Sequence, residues 1–442
     1  MLEKPDVDKK KALIAYLVGI RRKEDSPREA AEHLEELMRL CETMGLQVAG
    51  DETVSLSQPT AALLLGKGKV EEIKASAEMA GAELIVIDDE LSPGQQRNWE
   101  KETGLVVIDR LEVILDIFAQ RAQTREARLQ VQLARLEYSL PRLKRAWTHL
   151  ERQRGGGGFM AGAGEAQIEV DRRLVRDAIA RCKREIKEVR RQRATQRKSR
   201  KGRPTPTAAL VGYTNSGKSS VLNRLTGAHV LAEDKLFATL DPTTRRILLP
   251  NNQPLLLTDT VGFIRKLPHQ LVEAFMATLE ESQQADFLLH VLDASHPAVL
   301  DHLRATNAVL EELGIESKPV LHVLNKMDLV EDPVAVAELR RVAAPSVCTS
   351  MANGEGVGEL MERLAEFASG GMKEVHLRVP ASRGDLIGLV HREGHVLSMR
   401  YDDSNCLMDA ELPVRFLDPV RPFLLEEPAP ASPNGPQRGP AT

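Results

Sequence analysis

The stretch Gly212-Tyr213-Thr214-Asn215-Ser216-Gly217-Lys218-Ser219 constrains this chain more than any other, because it satisfies the pattern G-x-x-x-x-G-K-[ST] in a fitting local context. Ala208-Ala209-Leu210-Val211 reads as a buried strand ending at the first glycine, and Ser220 to Leu225 reads as the first turns of a helix. Strand, loop and helix in that order belong to an α/β fold. The glycines let the backbone curl with its N–H groups pointing inward at a phosphate, and the helix N-terminus adds partial positive charge. Lys218 then reaches the β- and γ-phosphates, while the Ser219 hydroxyl ligates Mg²⁺.

Three later segments recur in the order that a guanine-nucleotide switch requires. Asp259-Thr260-Val261-Gly262 follows the apolar run Leu255-Leu256-Leu257, which sets a carboxylate at a strand end, where it holds Mg²⁺ through water. The glycine that follows offers its N–H to the γ-phosphate. Asn325-Lys326-Met327-Asp328 follows another buried-strand pattern, Pro319 to Leu324, and Asp328 can accept two hydrogen bonds from guanine that adenine cannot offer. The expected substrate is therefore GTP.

Between these motifs lies Phe237-Ala238-Thr239-Leu240-Asp241-Pro242-Thr243-Thr244, a loop that should supply the threonine closing the Mg²⁺ shell. Thr239 is the first choice and Thr243 the second. Ser350, Met351 and Ala352 fall where the guanine O6 meets a backbone N–H, with Met351 standing where alanine is usual. Phe263 occupies the place of the glutamine that orients water in Ras-like proteins, and a phenyl ring cannot do that. No residue is assigned to that role, and hydrolysis in isolation should be slow. Packing in the core is the plain alternative for Phe263.

The formal charge of −4 conceals an asymmetry: residues 121–203 hold 24 Lys and Arg against 9 Asp and Glu, a net +15 that leaves −19 for the rest. Within this segment Leu129, Leu133, Leu136, Leu140, Leu143, Trp147 and Leu150 recur at coiled-coil spacing, as do Val175, Ile179, Cys182, Ile186 and Val189. The glycines 155–158, 162 and 164 would make the tip of an antiparallel hairpin, and Pro141 should break its first helix. Arg142, Lys144, Arg145, Arg152 and Arg154 cluster toward that tip, and a polyanion is the better reading than a solvated face. Few aromatics lie nearby, which favours folded RNA over single strands.

The expected organisation is a small α/β domain over 1–115, a basic helical hairpin over 116–203, a GTPase domain over 204–370, a short β-rich module over 371–425 and a disordered Pro-rich tail over 426–442. In the β-rich module Val375 to Pro380, His395 to Tyr401 and Val414 to Leu417 read as strands. Gly66-Lys67-Gly68-Lys69 reads as a helix start and not as a second phosphate site. The histidines are dispersed and form no constellation. Cys41, Cys182, Cys348 and Cys406 show no metal or disulfide spacing, which fits a reducing cytosol. Met1 to Lys11 is charged and does not read as a signal peptide, and no apolar run approaches the roughly 20 residues of a membrane span. A soluble, cytoplasmic monomer is expected.

Leu65-Gly66-Lys67-Gly68-Lys69, then Leu140-Pro141-Arg142-Leu143, Gly164-Glu165, Gln167-Ile168-Glu169 and Asp171-Arg172-Arg173, then the GTPase motifs above, resemble the HflX family of ribosome-associated GTPases over residues 10–370. The resemblance implies binding to the large ribosomal subunit and its RNA, with the hairpin tip near the peptidyl-transferase region, and splitting of stalled ribosomes by the GTP-bound form. One departure is Gly162-Ala163-Gly164-Glu165-Ala166, where the family usually reads Gly-Pro-Gly-Glu-Thr; this should loosen the tip. Two other functions remain open: a GTPase of ribosome assembly or RNA remodelling, and an RNA-binding adaptor that does not hydrolyse nucleotide.

Overall fold

The computed structural model describes residues 12–143, 161–200, 205–227, 236–237, 239–265, 281–315, 317–369, 372–402, 404–413 and 416–425. They fall into two compact units, Met1–Leu248 with Pro254–Leu360, and Leu249–Gln253 with Met361–Thr442.

The first unit opens on a four-stranded parallel sheet in the order β2-β1-β3-β4, built from β1 (Ile14–Arg21), β2 (Gln47–Ser55), β3 (Leu84–Ile87) and β4 (Val106–Asp109). Central strands of such a sheet are covered on both faces, which is why β3 is Leu-Ile-Val-Ile with every residue buried. Helix α1 (Pro27–Met44) starts at a capping box of Ser26 and Glu29 with proline at its first position, and buries Leu34, Leu37, Leu40 and Cys41 along one stripe. Helix α2 (Lys67–Met79) has Gly66 as its N-cap, so Gly66-Lys67-Gly68-Lys69 is the helix start that its residues suggest.

Helix α3 (Pro93–Thr103) precedes β4, and α4 (Arg110–Arg121) follows β4 directly. Val113, Ile114, Ile117 and Phe118 of α4 share a core with Leu17 and Leu37, so this helix runs unbroken across the boundary expected at 115. Helix α5 (Arg125–Ser139) is ended by the 3-10 turn Leu140–Arg142 around Pro141. The next described element is α6 (Ala161–Arg200), so Gly162 and Gly164 belong to a helix and not to the connection.

The paired leucine seams need correction. The stripe that α5 buries is Ala127, Val131, Ala134 and Tyr138, while Leu129, Leu133 and Leu136 are only half-buried. Arg125 pairs with Glu185 and Glu137 with Lys183. Cys182 and Ile186 of α6 are buried, in keeping with their seam.

The second sheet of this unit has the order β10-β9-β8-β5-β7-β6, formed by β5 (Thr207–Val211), β6 (Thr243–Leu248), β7 (Pro254–Asp259), β8 (Phe287–Asp293), β9 (Val320–Asn325) and β10 (Ser346–Cys348). All pairs are parallel except β6 with β7, and β6 is the exposed edge. Helices α7 (Lys218–Thr226), α8 (Val299–Glu312), α9 (Pro333–Val342) and α10 (Val357–Ala368) follow strands. Ligands of such sheets bind beyond the carboxyl ends of the strands, and each expected nucleotide motif sits there.

The second unit holds an antiparallel sheet, β11 (Met372–Pro380), β13 (Asn405–Pro413) and β12 (His395–Asp402), in the order β11-β13-β12, with helix α11 (Gly384–Glu393) packed on it. The third strand is therefore Asn405–Pro413 and not Val414 to Leu417. Cys406, Met408, Ala410 and Leu412 alternate inward, but the intervening Asp409 and Glu411 hide the strand from a reading that weights apolar content. Leu417–Val420 is a short helix, and residues 414 and 415 lie outside the described residues.

Candidate nucleotide site

The phosphate loop connects β5 to α7. Gly217 has φ +95°, and a Cβ there would stand 2.2 Å from Asn325 Nδ2, so both conformation and space require glycine. A Cβ on Gly262 would fall 2.8 Å from both Lys218 Nζ and Thr214 Cα, which keeps that backbone close to the loop. Lys218 is buried and its ammonium donates to the carbonyls of Tyr213 at 2.7 Å and Gly212 at 3.2 Å. Burial pushes its pKa down to about 8 against the opposing pull of Asp259. The hydroxyls of Thr214 and Ser216 are buried and make no hydrogen bond. Such groups favour a ligand rich in oxygen acceptors.

Three oxygens converge beside Lys218. Ser219 Oγ donates to Asp259 Oδ2 at 2.6 Å, Thr239 Oγ1 donates to the same atom at 2.9 Å, and the two hydroxyls lie 2.9 Å apart. Asp259 Oδ1 is buried without a hydrogen-bond partner. Burial raises the Asp259 pKa, while Lys218, Ser219 and Thr239 oppose the rise. An all-oxygen set around a buried carboxylate fits Mg²⁺. Thr243, the second choice, lies on β6, where it pairs with Asp259 in the sheet.

The base end is laced together by side chains. Asn325 Nδ2 donates to Ser216 O at 3.1 Å and Asn325 Oδ1 accepts from Met351 N at 3.2 Å. Ser350 Oγ donates to Asp328 Oδ1, which turns that carboxylate edge and fixes it. Lys326 takes φ +63° and places its ammonium 2.7 Å from Asp293 Oδ2. Met327 N donates to Thr349 O, and Ala352 is exposed at the rim. A cavity of about 970 Å³ opens over Thr214, Asn215, Ser216, Asp293 and Lys326 and extends to the Glu29–Glu36 side of α1.

The side chains of other expected residues make structural contacts. Thr260 Oγ1 donates to Leu210 O at 2.6 Å, and Val261 packs in the core, so both serve the loop through structure. Phe237 and Leu240 bury their side chains in the cluster that contains Phe118, and Asp241 turns toward α5. Ala238 lies outside the described residues. Phe263 exchanges main-chain hydrogen bonds with Gly212 and Thr214, and its ring is buried. It is a core group, and no described side chain stands in for the missing glutamine.

Two arrangements escape a linear reading. Tyr213 OH donates to Glu36 at 2.5 Å and accepts from Arg265 N at 2.8 Å, while Arg110 donates to Glu36, Asp88 and the carbonyl of Arg265. Burial opposes the Arg110 charge, yet Glu36 and Asp88 outweigh it and its pKa is raised. The histidines, dispersed in sequence, gather in space: His302 stacks on Tyr213 at 3.8 Å, His296 lies 4.4 Å from His302, and His290 lies 5.3 Å from His322. The large aromatic at the second position of the phosphate loop was the available signal.

Arg142 must leave the set of RNA-facing cations. Its guanidinium donates to Leu91 O at 2.6 Å, Gln96 Oε1 at 2.9 Å and Tyr138 O at 3.1 Å, reaches Asp109 at 3.4 Å, and lies 3.6 Å over the Tyr138 ring. It ties the end of α5 to the first sheet. Lys144, Arg145, Arg152 and Arg154 lie outside the described residues. No described helix is long and apolar enough to cross a membrane.

Residues 31–119 match the family described as GTP-binding GTPase N-terminal, 121–200 the GTP-binding GTPase middle region, and 207–326 the 50S ribosome-binding GTPase family. GTPase HflX of Akkermansia muciniphila is 47% identical over 96% of this chain and 99% of its own length. GTPase HflX of Escherichia coli is 44% identical over 84% of this chain and 87% of its own length. The crystal structure of a GTP-binding protein from Sulfolobus solfataricus in complex with GDP covers 81% of this chain and 99% of its own, at 26% identity and a TM-score of 0.43. With relatives this similar along most of its length, the chain belongs to the HflX family of GTPases.

Proposed function

We propose that this GTPase binds the large ribosomal subunit in its GTP-bound form and splits stalled ribosomes into subunits. The observation that carries the reading is the buried Phe263 in a pocket whose other nucleotide-binding groups are in place. Among the described residues no side chain takes the place of the water-orienting glutamine, which favours a partner that completes the site. The printed description of the family matching residues 207–326, ribosome-binding GTPase, supports the ribosome as that partner.

In this reading Lys218 neutralises β- and γ-phosphate charge, Gly262 offers its N–H to the γ-phosphate, and Asp328 and Met351 N–H read the guanine edge. Ser219, Thr239 and Asp259 would hold Mg²⁺. The metal would supply positive charge at the phosphate end of the site. Lys144, Arg145, Arg152 and Arg154 meet ribosomal RNA phosphates.

Sedimentation of mature ribosomes with the protein and a nonhydrolysable GTP analogue tests the proposal. Separated subunits with the analogue and intact ribosomes with GDP are expected. Binding without separation would favour a role in assembly or RNA remodelling.

A further inference from the structure

The loop that carries Thr239 is anchored on both sides, and both anchors lie on the corner between α4 and α5. Two residues before Thr239, the Phe237 ring meets Phe118 of α4 edge-on at 4.5 Å. Phe237 also holds φ +55°, a left-handed conformation that is an outlier for an aromatic residue. Two residues after Thr239, Asp241 Oδ2 accepts from Gln123 N at 2.8 Å and Thr124 N at 3.1 Å, and its Oδ1 accepts from the Thr124 hydroxyl. Thr124 is the N-cap of α5, with its Oγ1 accepting from Ala127 N. Between the two anchors, Thr239 reaches Ser219 and Asp259. The loop therefore spans the α4–α5 corner and the metal site, and strain stored at Phe237 is released if either end lets go.

We propose that Thr124 and Asp241 are positioning residues that hold Thr239 at the metal site, and that this strap tightens with GTP and slackens with GDP, so that the root of α5 reads the γ-phosphate. The inference rests on Thr239 as a metal ligand. When the γ-phosphate leaves, Thr239 no longer closes the metal site, the strained turn at Phe237 relaxes, and the carboxylate of Asp241 moves off the first turn of α5. The reverse coupling follows by linkage: tension at the α5 root changes the preference for GTP over GDP.

Hydrogen exchange at the Gln123 and Thr124 amides, read in the full chain with Mg²⁺ and either a nonhydrolysable GTP analogue or GDP, tests this directly. Both amides should exchange about tenfold more slowly with the analogue, the worth of one charge-assisted hydrogen bond gained. Thr124→Val should shift the ratio of analogue to GDP affinity toward GDP by about tenfold, and Thr124→Ser should restore it. Asp241→Asn, which keeps the helix cap, should shift the ratio in the same direction. Equal exchange in the two nucleotide states, or a Thr124→Val protein with the parent's ratio, would overturn the strap. Thr239→Ala separates the two readings: if it keeps the parent's Mg²⁺-dependent preference for the analogue, the metal role of Thr239 fails and the strap with it; if it loses that preference while Thr124→Val does not, only the strap fails.

Discussion

Tyr213 of the phosphate loop and Glu36 of α1, 177 positions apart in the chain, share a 2.5 Å hydrogen bond. The same hydroxyl accepts from Arg265 N, and Arg110 closes the ring by bonding both Glu36 and the Arg265 carbonyl. Tyr213→Phe deletes one oxygen and leaves a part-buried carboxylate oxygen and a part-buried N–H each short of one partner. It should cost about 1–3 kcal/mol of stability. Urea denaturation of parent and variant measures this, and an unchanged midpoint would show that the ring carries no weight.

Lys218→Ala should abolish tight nucleotide binding, because it removes the charge that meets the β- and γ-phosphates. Asp328→Asn should shift preference from guanine toward xanthine, since the amide offers a donor where guanine needs an acceptor. Calorimetry with GTP and XTP reads both. Full GTP affinity in Asp328→Asn would overturn the guanine assignment.

Replacing Phe263 by glutamine should not create a faster enzyme. The side chain points into the core with Val261 and Ile264, so the amide would be buried there and the protein destabilised by about 1–3 kcal/mol. Single-turnover hydrolysis and a melting curve of Phe263→Gln suffice. A faster, equally stable variant would mean that the ring can swing to the nucleotide. The parent should be stimulated by large subunits more than by small ones.

Acid should weaken the fold well before carboxylates titrate. Burial pushes the pKa of His290 down to about 3, with His322 and Lys218 adding, and burial pushes His302 down to about 3, with His296 adding. Their folded pKa values lie below the unfolded one near 6.5, so the stability is fully present above pH 6.5 and falls as pH drops. The slope is about 1.4 kcal/mol per pH unit for each group. Denaturation between pH 7 and 5 should show it, and His290→Leu should flatten the slope by one group.

Two kinds of arginine near the hairpin should separate. Arg142→Ala should lower stability by about 3 kcal/mol, because it leaves buried Asp109 without its cation, yet should leave the salt dependence of ribosome binding unchanged. Replacing Arg152 and Arg154 by Glu should do the opposite, weakening binding and reducing the log-log salt slope by about one for each RNA phosphate no longer neutralised. Unaltered binding by the double variant at physiological salt would move the RNA-binding surface elsewhere.

The site was legible where local pattern dictates geometry. Gly217, Lys218, Asp259 and Asp328 sit at strand ends and helix starts whose apolar runs announce them, and strands β5, β7 and β9 follow from continuous apolar stretches, whereas edge strand β6, Thr-Thr-Arg-Arg-Ile-Leu, does not. What stayed hidden depends on partners distant in the chain. Arg142 looked like one more cation in a basic run until Gln96, Leu91 and Asp109 came to meet it. The leucines of α5 kept coiled-coil spacing, but its smaller Ala127, Val131 and Ala134 fit more closely against the core. Strand β13 was obscured because two of the residues that alternate with its buried ones, Asp409 and Glu411, are acidic.

Asn325 gives one amide plane to both halves of the pocket, its nitrogen to Ser216 and its oxygen to Met351. Guanosine and pyrophosphate are consequently not independent fragments for this protein. Seating the base steadies the wall behind the phosphates, and filling the phosphate end steadies the rim under the base. The whole nucleotide should bind more tightly than its separated pieces would predict from additivity, because the ordering of that shared wall is incurred once and not twice.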